Sequence, residues 1–103
     1  MSSIAYICSP YGGKDENIEK ARKYMRFIAA QGYVPVAPHV MLHGVMDDHD
    51  AKQRSAAMSA NLRLIDACDV MCVFSDKLTP GMQAEVSYAS RTQKPVLRFR
   101  LND

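Results

Sequence analysis

The sequence predicts an α/β fold, Rossmann-like (flavodoxin-like), with three α/β/α layers around a small parallel sheet of order 2-1-3-4. Three observations lead there. Short apolar runs alternate with segments whose apolar residues recur at helical spacing. The run Val70 to Phe74 is almost wholly apolar, as a central strand covered on both faces should be. Glycine- and proline-bearing breaks separate the segments, and strands joined by crossover helices pair in parallel with right-handed connections.

Taken in order, Ile4 to Cys8 reads as the first strand, broken by Ser9-Pro10-Tyr11-Gly12-Gly13. Asp15 is suited to cap the next helix, because its carboxylate can accept from a free backbone N–H. Ile18, Ala21, Met25 and Ile28 form that helix's inner face, and Gly32 supplies a left-handed stop. Tyr33 to Ala37 reads as a second strand, placed at an edge by Pro35, and Pro38 closes it. His39 to Asp50 is polar and irregular and resembles a functional loop. A second helix is expected over Ala51 to Ile65. Its inner stripe is Met58, Leu62 and Ile65, and Ala51, Ala57 and Ala60 permit close approach. After the central strand and a loop from Ser75, Thr79 and Pro80 have the chemistry of a helix cap and first position. Met82, Val86 and Ala89 would face inward, and Pro95 to Phe99 is the last strand.

The 103 residues form one expected domain, residues 1–103, because two domains would each be too small for an adequate core. An apolar fraction of 48% and a charged fraction of 23% exclude a disordered chain. Thirteen basic and eleven acidic residues leave a net charge of +2. The densest basic run, Lys20, Arg22, Lys23 and Arg26, suits a solvated helix face better than a nucleic-acid stripe. No nucleic-acid polymer is therefore expected as a partner. The three cysteines lack a CxxC pair, and Cys8 and Cys72 sit in strand-like runs as buried thiols. Such usage points to a reducing, cytoplasmic setting. Neither a signal peptide nor a membrane span is expected. A four-stranded sheet covers its helices sparingly, which favours a homodimer or higher homo-oligomer.

In an open parallel sheet, ligands bind beyond the carboxyl ends of the strands, where the strand order reverses. Three loops should meet there, and they hold the candidate residues. Gly12 and Gly13 allow close backbone approach before a helix N-terminus, although neither a GxGxxG nor a GKS/T motif is present and the pair taken alone reads as a flexible turn. In T-P-G-M-Q-A-E, residues 79–85, Thr79 and the N–H groups near Gly81 and Met82 suit an anion. Glu85, one turn after Gly81, is either a solvated acid near the helix dipole or a carboxylate aimed into the crevice. His39, His43, Asp47, Asp48, His49 and Asp50 match no metal motif, so no metal and no cofactor are expected; His39 alone borders the crevice. Tyr6, near the end of the first strand, needs a partner if buried, and Glu85 is one acceptor within reach. Asp66 and Asp69 lie at the opposite end of the sheet and suit caps and turns.

Five pieces in this order resemble the nucleoside 2-deoxyribosyltransferase superfamily. They are Y-I-C-S-P-Y-G-G at Tyr6 to Gly13, G-Y-V-P-V-A-P-H at Gly32 to His39, A-C-D-V-M-C-V-F at Ala67 to Phe74, T-P-G-M-Q-A-E at Thr79 to Glu85, and K-P-V at Lys94 to Val96. The resemblance implies a Rossmann-like domain in an oligomer that cleaves the N-glycosidic bond of a nucleoside or its 5'-monophosphate. It implies Glu85 as the nucleophile on C1', Tyr6 as the group that positions it, and Thr79 and Gly81 as phosphate contacts. It also implies that Gly12 and Gly13 lie beside the nucleotide. The family pattern has an aspartate where this chain has Asn61, and an amide has no acidic proton to give a leaving group. Beyond the last strand only Arg100 to Asp103 remain, and none matches a family residue. The base is expected over Tyr11 or His39, with Met82 at the phosphate cradle. Rival readings are a non-catalytic nucleotide-binding or sensing domain, and a structural or interaction protein with a degenerate site.

Overall fold

The computed structural model describes residues 3–101. Four strands, β1 (Ile4–Cys8), β2 (Val34–Val36), β3 (Val70–Val73) and β4 (Val96–Arg98), alternate with helices α1 (Asp15–Ala30), α2 (Pro38–Leu42), α3 (Ala51–Ala67) and α4 (Pro80–Arg91). The sheet is wholly parallel, in the order β2-β1-β3-β4. This is the order expected from the crossover pattern. Pro35 lies on the β2 edge, where its missing donor costs least.

Strand periodicity divides the core into two halves. Tyr6 and Cys8 of β1 join Met71 and Val73 of β3 on one face, packed with Ile65 of α3 and Met82 and Ala89 of α4. Ala5 and Ile7 join Val70, Cys72 and Phe74 on the other, packed with Ile28 of α1. β3 is buried along its full length, which explains its continuous apolar run. Past its end, Phe74 stacks on Tyr24 at 4.4 Å and on Phe99 at 5.2 Å, tying α1 to the ends of β3 and β4. At the other end of the sheet, Asp69 accepts from the Ile4 N–H at 2.7 Å, and Asp66 accepts from the Tyr88 hydroxyl. Asp69 lies in the turn before β3 as expected, whereas Asp66 sits within α3 and ties that helix to α4 instead of serving a turn.

The structure corrects four local expectations. Asp15 is the first residue of α1 rather than its cap; Lys14 stands at the cap position with no side-chain bond, and Asp15 instead accepts from His43. Pro38 does not merely end β2. It opens α2, a helix too short for periodicity to announce, and places His39 on that helix rather than in an irregular loop. Asp50, read as part of a polar cluster, caps α3 by accepting from the Lys52 and Gln53 N–H groups. Met58 is 47% exposed rather than inward-facing, because the first half of α3 borders a cavity and only Asn61 and Ile65 are buried on that helix. Ala51 and Ala60 are likewise exposed.

All three cysteines are free and buried. Burial pushes the Cys72 thiol up to about 11, so it remains a thiol at neutral pH. No helix among the described residues is long and apolar enough to cross a membrane.

Ile28 is fully buried between α1 and the sheet, away from the crevice. Ile28→Ala should cost about 2–5 kcal/mol. Urea denaturation should show a lower midpoint with an unchanged slope.

Candidate active site

The strands carry their carboxyl ends to one side, where a cavity of about 910 Å³ opens between the β1 loop, α2, α3 and the start of α4. That volume falls within the roughly 300–1,000 Å³ common for small-molecule sites. Glu85 lies in its wall and is only 9% exposed.

Three side chains surround the Glu85 carboxyl. The Tyr6 hydroxyl donates to Oε2 at 2.8 Å, and Asn61 Nδ2 donates to the same oxygen at 3.3 Å. The Cys8 thiol is also hydrogen-bonded to it. Alternation along β1 sends Tyr6 and Cys8 to the same face, and Glu85 reaches them because it shares the buried stripe of α4 with Met82 and Ala89. Burial raises the Glu85 pKa, and the bonds from Tyr6, Cys8 and Asn61 oppose that rise without cancelling it. The same burial, with the carboxylate alongside, drives the Tyr6 and Cys8 pKa values up. Both therefore donate while neutral. Tyr6 is 1% exposed and does not line the cavity; it sits behind Glu85.

The α4 N-terminus is partly spent on itself. Thr79 accepts from the Met82 N–H at 3.2 Å, and Pro80 has no N–H. The Gly81 N–H is thus the first-turn donor left for an anion, and Gly81, Thr79 and Met82 all border the cavity. Arg54 of α3 lines the cavity as well and adds a positive charge that the sequence reading overlooked.

Across the cavity, the Tyr11 and His39 rings stack at 4.5 Å and 10°. Tyr11 is tethered further, its hydroxyl 3.0 Å from His43 Nδ1, while His43 Nε2 lies 2.7 Å from Asp15. Burial lowers the His39 pKa against the opposing pull of Asp48 and a hydrogen bond to the Ser9 backbone, which favours the neutral imidazole. Gly12 and Gly13 adopt φ of +60° and +71°, a left-handed turn that suits glycine. Only Gly12 reaches the main cavity; Gly13 faces a neighbouring hollow beside His49 and Asp48.

The structure therefore brings together Glu85, Asn61, Thr79, Gly81, Met82, Tyr11, Gly12 and His39, with Tyr6 directly behind. It leaves Gly13 outside the main wall. Sequence reasoning also missed Ser9, which immediately follows β1 at the carboxyl end of the sheet. Ser9 Oγ and Asn61 Oδ1 are buried in this wall without a hydrogen-bond partner. Native interiors seldom leave such atoms unpaired. Among the described residues, no three His, Cys, Asp or Glu side chains cluster as a metal site would require.

Comparison with known proteins places the chain in a family. Residues 3–99 match a domain of unknown function, DUF7768. The chain belongs to the DUF7768 family. No curated protein matches it in sequence. Among solved structures, it is similar to a 2-deoxyribosyltransferase from the psychrotolerant bacterium Bacillus psychrosaccharolyticus, with a TM-score of 0.76 and 18% identity. The match covers 95% of this chain and 72% of that one. At this identity, the likeness establishes the shared α/β fold.

The raised Glu85 pKa has a consequence for stability. A carboxyl favoured as the neutral acid in the fold contributes its stability below the ordinary carboxylate range and loses it as pH rises through the raised value. Glu85→Gln mimics the neutral form. Thermal midpoints measured across pH should show the variant more stable than the parent at neutral pH, with the gain shrinking towards acid. A constant offset at every pH would contradict this.

Proposed function

We propose that this protein cleaves the N-glycosidic bond of a nucleoside or its 5'-monophosphate, with Glu85 as nucleophile. The observation that carries the proposal is the buried carboxyl of Glu85, held by Tyr6 at 2.8 Å in the wall of a nucleotide-sized cavity. The likeness in fold to a 2-deoxyribosyltransferase supports the same chemistry.

In this reading, the 5'-phosphate rests at the Gly81 N–H and Arg54, with Gly12 close to the substrate. The base lies against the Tyr11–His39 pair, which offers a flat aromatic surface. Ionised Glu85 attacks C1', an ester forms as the bond to the base breaks, and water or an acceptor base then resolves the ester. Tyr6 acts through Glu85 as a positioning residue. It keeps one carboxyl oxygen fixed and stabilises its charge. An assembly of two or more copies belongs to the same proposal: Met41 and Val45 are 55% and 73% exposed and give a second copy apolar surface to cover. Sedimentation at the monomer mass would remove that part.

A second reading is favoured by Asn61. With an amide beside the carboxyl, the cavity suits a domain that binds a nucleotide without turning it over. Calorimetric binding of a mononucleotide with no base released would select it.

Incubation with a panel of nucleosides and 5'-monophosphates, with free base measured by chromatography, tests the enzyme directly. Glu85→Ala should abolish base release. Tyr6→Phe should reduce kcat roughly 10- to 150-fold, the worth of a hydrogen bond to a charged group, with KM little changed because Tyr6 does not line the cavity. Turnover unaffected by Glu85→Ala would refute the assignment.

A further inference from the structure

Breaking a glycosidic bond to a neutral base leaves an electron pair on a ring nitrogen, and that pair needs a proton to depart readily. The groups around Glu85 offer none. Asn61 Nδ2 is an amide committed to Glu85, and its free Oδ1 is only an acceptor. Tyr6 and Cys8 already donate to Glu85 from behind. On the far side, His39 favours its neutral state, and the Tyr11 hydroxyl is held by His43.

The cavity holds Arg54 for the phosphate, but its Tyr11–His39 side carries groups that attract positive charge. The stacked Tyr11–His39 pair presents an aromatic face, Asp48 acts electrostatically on both rings, and Asp47 borders the same cavity. An electron-rich ring beside carboxylates favours a planar cation.

Building on the glycosidase reading above, we propose that the substrates are nucleotides whose base is already an N-quaternised heteroaromatic cation, of the pyridinium or N7-alkylpurinium type. Glu85 Oε forms a bond to C1' as the C1'–N bond breaks. The electron pair of that bond returns to the ring nitrogen, so the base leaves neutral and needs no proton. Water then attacks C1', the ester electrons return to the Glu85 carboxylate, and one water proton passes to solvent. Each hydrolysis of a pyridinium ribotide thus releases one proton.

The test uses the wild-type protein with nicotinamide mononucleotide, the 5'-monophosphate of N7-methylguanosine, and the neutral nucleotides GMP and dGMP. Base release is followed by chromatography and proton release by a pH indicator. Both cationic substrates should be cleaved at least about 100-fold faster than the neutral pair, the worth of a missing general acid. The reaction should depend on Glu85, and the pyridinium substrate should release one proton per base. Asn61→Asp should raise cleavage of the neutral nucleotides about 100-fold or more and change the cationic ones far less. Glu85-dependent cleavage of neutral nucleotides at rates equal to or above the cationic ones would overturn this inference and leave the glycosidase reading intact. Absence of base release from every substrate would remove both. The wild-type comparison decides the matter even if Asn61→Asp does not fold.

Discussion

The site depends on a hydrogen bond between a strand and a helix that are 79 residues apart in sequence, from the Tyr6 hydroxyl to the Glu85 carboxyl. A carboxyl taken out of water without partners would be strongly destabilising, and the fold resolves this by surrounding it with donors from β1 and α3. The resulting group is neither a solvated surface acid nor a fully stabilised buried anion. Burial favours its neutral form while three donors favour its charge. That balance requires β1, α3 and α4 to pack in one register, so the arrangement of the sheet and the reactivity of the carboxyl are set together.

Much of this was legible in the chain because it depends on periodicity and on local chemistry. The apolar alternation of Ile4 to Cys8, the continuous run through β3 and the Thr79-Pro80 cap each name their element from a few residues. With the strands placed, the crossover rule supplies the order β2-β1-β3-β4. The convergence of Tyr6 and Glu85 then follows from the positions of the two residues on elements that must be neighbours.

What stayed hidden has equally specific causes. α2 is five residues long, shorter than a recognisable helical repeat. Helical spacing alone points Met58 inward, but a helix bordering a cavity has no core behind its first turns. Asp50 immediately precedes α3 and has the chemistry of a cap, but the histidines and acids beside it in sequence mask that local signal. Ser9 and Arg54 carry no motif. They matter only because the folded wall collects them, and nothing local in sequence announces a shared cavity.

The tether on Tyr11 also bears on how the cavity opens. Its ring rests on His39 of α2, its hydroxyl meets His43 at the end of that helix, and His43 in turn meets Asp15 at the start of α1. The loop from Ser9 to Gly13 is thus fastened to two helices rather than hanging free beside the entrance. Swinging Tyr11 aside therefore means giving up both its stack on His39 and its bond to His43, so the loop and α2 hold each other in place beside the cavity.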